Sequence, residues 1–140
     1  MIRNRFIFVS FASVALCIML SGFFLENASA QAPVVTSKPL LKTTLSDDTQ
    51  KETIMASVEF PPGSVLNRHT HPGDELAFVL QGTLEVSAEG RETRRFSTGD
   101  VFHNPRGLVH EARNVGDTPV RLAVTFIVDK GKPFFQPVAK

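Results

Sequence analysis

A period of two constrains this chain more than any other feature. Between Val120 and Val128 every second residue is apolar (Val120, Leu122, Val124, Phe126, Val128), with Arg121, Ala123 and Thr125 among those between. Such alternation places one face of a β-strand against a core and the other outside it. The same pattern runs from Thr53 to Phe60, where Ile54, Ala56, Val58 and Phe60 alternate with residues such as Ser57 and Glu59. Turn signals interrupt the chain at Asp47-Asp48, Pro61-Pro62-Gly63, Pro72-Gly73, Gly82, Glu89-Gly90, Thr98-Gly99-Asp100, Pro105-Arg106-Gly107 and Gly116–Pro119. No helical periodicity of useful length appears outside the N-terminal segment. Short strands punctuated roughly every 8–12 residues fold as an all-β sandwich or barrel. Two hairpin-rich halves on either side of Gly90 fit a jelly roll.

The N-terminal segment stands apart. Arg3 and Arg5 precede an uncharged apolar run from Phe6 to Leu25, and Ala28-Ser29-Ala30 is a small-x-small cleavage site before Gln31. Residues 1–30 therefore read as a secretory signal peptide, which predicts export to the periplasm or beyond. The run is also long enough to span a bilayer, so retention as an N-terminal anchor is the competing expectation and the only route to a membrane. Residues 31–39, rich in Pro, Ser and Thr, are predicted to be an exposed leader, residues 40–130 the β-barrel domain, and residues 131–140 a tail with Phe134-Phe135 as its one apolar feature.

Cleavage after Ala30 changes the balance of charge. Removing Arg3 and Arg5 from 15 basic residues, and Glu26 from 14 acidic ones, leaves no formal net charge. No basic patch or aromatic platform stands out, which argues against a nucleic-acid partner. The lone Cys17 leaves with the signal. No disulfide is then available in an oxidising compartment, and burial, with or without a metal, must hold the small domain.

The segment Gly63–Gly82 carries the chemistry. His69 and His71 are two apart, so on a strand both face the same way, and Glu75 begins the next strand after Pro72-Gly73. Two imidazoles and a carboxylate at the edge of a turn can converge on one cation. These groups could equally be satisfied interior residues with no metal. Of the residues near Pro105, Val101 and His103 are predicted to share one face and Phe102 and Asn104 the other. That makes His103 a candidate second base, or a plain exposed or core histidine. Ala77 and Val79 should line the interior with Glu75, while Leu76, Phe78 and Leu80 point away, toward a second sheet or a second subunit.

Two ordered motifs give the chain a family resemblance. Gly63, His69, His71, Glu75 and Gly82 fill the pattern G(X)5HXH(X)3-4E(X)6G, and Gly99, Pro105, Gly107, His110 and Asn114 fill G(X)5PXG(X)2H(X)3N. Both signatures resemble those of the cupin superfamily, in its small single-domain form. The resemblance implies a single jelly-roll β-barrel of about six to eight antiparallel strands, with a metal held inside by His69, His71, Glu75 and His110. Gly107, which frees the chain to reverse, supports His110 approaching the first motif across the barrel. Three imidazoles and a carboxylate suit one divalent transition ion, Fe, Mn, Ni, Cu or Zn, with no thiolate to favour a soft metal. Asn114 reads as a strand-end residue rather than a substrate contact.

These observations lead to an exported metal-dependent enzyme acting on a small organic molecule that chelates through oxygen, with dioxygenase-type chemistry slightly ahead of decarboxylation or isomerisation. Glu75 and His103 are the candidate catalytic groups. The competing expectations are a non-catalytic metal or small-ligand binding protein, and a barrel merely stabilised by tetrahedral zinc. A homodimer is permitted by the stripe of Leu76, Phe78 and Leu80.

Overall fold

The computed structural model describes residues 32–139, and the expected signal segment lies outside them. The described residues form ten strands and no helix: β1 (Thr36–Thr44), β2 (Lys51–Phe60), β3 (Val65–Thr70), β4 (Gly73–Gln81), β5 (Thr83–Ala88), β6 (Arg94–Ser97), β7 (Val101–Asn104), β8 (His110–Asn114), β9 (Val120–Asp129) and β10 (Gln136–Pro137). They build two five-stranded antiparallel sheets, one ordered β1-β2-β9-β4-β7 and the other β10-β3-β8-β5-β6.

The clean alternation seen in the sequence becomes the spine of the first sheet. Strands β2 and β9 pair along their whole length, from Lys51↔Asp129 to Phe60↔Val120. Their alternating apolar residues, from Ile54 to Phe60 and from Val120 to Val128, are all buried. Ala77 and Val79 join them from β4, and Leu84, Val86, Phe96 and Ala112 face them from the second sheet. Burial of this kind is worth about 1.5–3 kcal/mol per large apolar side chain and is the main force closing the two layers.

The expected antiparallel jelly-roll class holds, here in ten strands. Its paired strands reach beyond residues 40–130 on both sides. Strand β1 starts at Thr36, inside the segment read as a leader, and pairs with β2 from Thr36↔Glu59 to Thr44↔Glu52. Pro39 is tolerated because β1 lies at the sheet edge, where a missing N–H interrupts no second ladder. At the other end, the segment read as a tail returns to the barrel, where Gln136 and Pro137 pair with Thr70 and His69. Gly73, read as part of a turn, is instead the first residue of β4. A Cβ there would sit 1.9 Å from the carbonyl oxygen of Ile127, so close sheet approach requires its glycine. The expected role does hold at Gly82, whose φ of +82° makes the tight turn between β4 and β5.

Candidate metal centre

Each sheet delivers part of the site. In the second, His69 of β3 lies directly opposite His110 of β8. In the first, Glu75 of β4 lies between Phe126 of β9 and Asn104 of β7. His71 stands on the short link from β3 to β4, between the layers. The register of β3 against β8 shifts between Leu66 and His69. That irregularity allows Leu66, at an even position, to share the interior with His69 and His71, at odd ones.

All three imidazoles are buried, and their ligand-capable nitrogens lie within 4.8 Å of one another. Each ring is held from behind by a main-chain carbonyl. Nδ1–H of His69 donates to Asn67 (2.7 Å), that of His110 to Leu108 (2.9 Å), and that of His71 to Phe134. A carbonyl only accepts, so each Nδ1 keeps its proton and each Nε2 is the atom left to bind. Burial, and then the neighbouring charge of His110, lowers the pKa of His69 to about 4, which leaves its ring neutral at ordinary pH.

Glu75 completes the cluster. Its Oε2 lies 3.1 Å from Nε2 of His110 and 3.6 Å from Nε2 of His71, and it accepts a hydrogen bond from Nδ2 of Asn104 at 2.8 Å. Burial alone would raise its pKa, but the imidazoles of His110 and His71 beside it favour the ionised form and hold the carboxyl well below the usual range. Nε2 of His71 is buried without a hydrogen-bond partner. An orphaned imidazole nitrogen beside an ionised carboxylate and two more imidazoles is a set of lone pairs with too few protons to share, and a divalent cation satisfies it. The residues therefore fit a metal ion.

The cluster opens on a cavity of about 210 Å³ whose other walls are mostly apolar, including Phe60, Leu84, Val124 and Phe126. The C-terminal segment closes one side, with Phe135 stacked on His69 at 4.6 Å between ring centroids.

Of the residues singled out in the sequence, His69, His71, Glu75 and His110 come together. His103 does not join them. It is exposed, with Val101, on the outer side of the first sheet, where Nε2–H donates to Oδ1 of Asp74 at 2.9 Å. Asn114 is a buried strand-end residue whose Nδ2 donates to the carbonyls of Phe60 and Thr118. The sequence reading missed two contributors, Asn104 and the Phe134-Phe135 pair. Asn104 was already placed opposite His103 in facing; the unseen signal was that β7 pairs with β4 at Glu75.

A two-sheet barrel with an inward cluster of imidazoles and one carboxylate defines the class of small jelly-roll proteins with a histidine-lined interior. The profile described as "Cupin domain" matches residues 56–128, just over half of the chain, and the protein belongs to that family. It is 44% identical over 77 residues to Germin-like protein 5-1 of Oryza sativa subsp. japonica, covering 51% of this chain and 35% of that relative. Nectarin-1 of Nicotiana langsdorffii x Nicotiana sanderae is 35% identical over the same length, again across 34% of its own chain. The chain thus spans about a third of the length of these curated relatives. Among solved structures, DMSP lyase DddQ from Ruegeria pomeroyi DSS-3 matches with a TM-score of 0.54 and 31% identity over 58% of this chain and 41% of that one. A double-stranded β-helix protein from Klebsiella pneumoniae shares the fold, at a TM-score of 0.59 and 21% identity over 79% and 89% of the two chains.

Proposed function

We propose that this cupin is an exported metalloenzyme that holds one divalent transition ion with His69, His71, Glu75 and His110 and acts on a small organic molecule chelating through oxygen. The observation that carries the reading is the orphaned Nε2 of His71, clustered within 4.8 Å of the ligand atoms of two more carbonyl-anchored imidazoles, with the carboxylate of Glu75 beside them at the wall of an apolar cavity. When bound, Fe, Mn, Ni or Cu would supply Lewis acidity and redox reactivity toward dioxygen, and Zn would supply Lewis acidity alone.

The chain's own residues do the rest. The backbone carbonyls of Asn67, Leu108 and Phe134 fix the ring tautomers, Asn104 holds Glu75, and the apolar walls exclude water from the bound substrate. Apart from the three histidines and Glu75, no ionisable side chain lines this cavity. A general acid or base is therefore short in supply, which favours dioxygenase-type chemistry over decarboxylation or isomerisation. Glu75 is the one group placed to move a proton.

The likeness to a DMSP lyase supports catalysis in a barrel of this kind. A non-catalytic metal or small-ligand carrier is the second reading, supported by the same scarcity of acid and base groups. Elemental analysis of protein taken from its native compartment, followed by turnover assays of diols and dicarboxylates with the identified metal, tests both. Stoichiometric metal with turnover supports the enzyme, metal without turnover the carrier, and no metal with intact folding defeats both. Loss of metal in His110→Ala is the expected companion result.

Export rests on the apolar run and Ala28-Ser29-Ala30. A homodimer rests on Leu76, Phe78 and Leu80, which stay 43–49% exposed in one row on the outer face of the first sheet.

A further inference from the structure

A second cleft, of about 420 Å³, lies between β6 and β7 and shares Val86, Phe102 and Asn104 with the histidine cavity. Asn104 is the residue that holds Glu75, so the two spaces meet beside the cluster. The cleft differs in chemistry. Arg91 and Arg94 line it with one carboxylate, Glu92, and with His103, whose ring is already paired with Asp74. Among the described residues neither Arg91 nor Arg94 makes a salt bridge, whereas the next residue, Arg95, pairs with Glu85 at 3.0 Å.

The strand explains why Arg94 stands out. Phe96 is buried against Phe102 with ring centroids 4.8 Å apart, and β6 alternates, so Arg94 shares its face while Arg95 and Ser97 face outward. The guanidinium lies over the Phe96 ring, 5.1 Å from its centroid. Across the sheet, Arg94 pairs with Val86, and Val86 with Ala112, one row from the row of Ala88, His110 and His69. A cation on the inner face of a barrel edge, with an aromatic platform and no acidic partner, is arranged to receive an anion.

We infer that the β6–β7 cleft is the anion-binding arm of the substrate site, so that the substrate is an organic acid. Its oxygen chelate faces the histidines, its carbon frame runs past Phe102, and its carboxylate meets Arg94, with Arg91 beside it. Two strand spacings, roughly 10 Å, separate β8 from β6, which sets the scale of the molecule. This inference rests on the metal-site reading above.

The test uses two chelators with the same head group, catechol and dihydrocaffeate, which adds a short chain ending in carboxylate. Dihydrocaffeate should bind metal-loaded protein roughly tenfold more tightly than catechol, and Arg94→Gln should abolish that preference without changing catechol affinity or metal content. Arg94→Lys should retain part of it, and Arg95→Gln all of it. In metal-free protein, hydrocinnamate should shift the Arg94 Nε–H resonance. A preference that is absent, or that survives in Arg94→Gln, overturns the inference, as does an Arg94 resonance unmoved by hydrocinnamate. Failure of both diols to bind while hydrocinnamate still moves Arg94 overturns the metal reading instead.

Discussion

Asn104 shows how much a single amide can govern. Its Nδ2 donates to the carboxylate oxygen that faces two imidazoles, and the residue is buried. Asn104→Leu removes that donor at similar volume and leaves Glu75 free to turn. Metal affinity should fall about 10–100-fold in a competition titration against a chelator, while the far-ultraviolet spectrum stays unchanged. His69 makes a second prediction. Its pKa is lowered from 6.5 to about 4 on folding, so between those values the unfolded chain binds more protons than the native one. The stabilisation that comes from keeping this ring neutral is present above pH 6.5 and is lost as the pH falls toward 4. Urea unfolding of metal-free protein should show stability dropping across that window, with a shallower drop in His69→Gln.

At the level of elements, close packing of β4 on β9 decides more than turn chemistry does. Gly73→Ala places a methyl against the carbonyl of Ile127, a backbone atom that cannot step aside without breaking the β4–β9 ladder. Thermal unfolding should report a loss of about 3 kcal/mol or more, with Glu75 displaced and metal binding weakened alongside. The sequence read Pro72-Gly73 as a turn because nothing in a linear string says which strand will pass beside a glycine. Strands β2 and β9 were legible for the opposite reason, since one buried face writes itself into every second residue. The four clustered side chains were legible through their spacing and the resemblance it carries. Asn104 and β10 were not, because the first acts only through the pairing of β7 with β4, and the second is two residues held by β3. Phe134 looked like a sticky tail because its contribution is a main-chain carbonyl, which every residue has.

For the whole molecule, the inner and outer faces of the first sheet have different work. The inner face carries the buried core and the wall of the histidine cavity, while outside Leu76, Phe78, Leu80, Val101 and Met55 remain 38–69% exposed. The register sets Phe78 beside Val101 and Ala123, and Leu76 beside Thr125, so the apolar residues form one continuous surface. A second copy of the chain packing on it would bury that surface. Sedimentation should find a dimer that Phe78→Asp converts to a monomer, with metal content unchanged because the substitution lies on the far side of the sheet. A wild-type monomer would remove the dimer from consideration.

The irregularity between Leu66 and His69 bears on how such a site is inherited. Because His69 and His71 are two apart, they keep the same phase whatever happens upstream, and a single-residue slip moves both together. Strand β3 carries two residues between Leu66 and His69 where β8 carries one between Ala112 and His110, so deleting Asn67 restores plain alternation and keeps Leu66 and both rings inward. Metal binding should survive that deletion, weakened by loss of the Asn67 carbonyl behind His69. Deleting Thr70, which lies between the two histidines, puts them on opposite faces and should abolish binding, and a chelator titration of the two deletants would read the contrast directly. Spacing upstream of the pair can therefore change without turning the ligands, whereas spacing within it cannot.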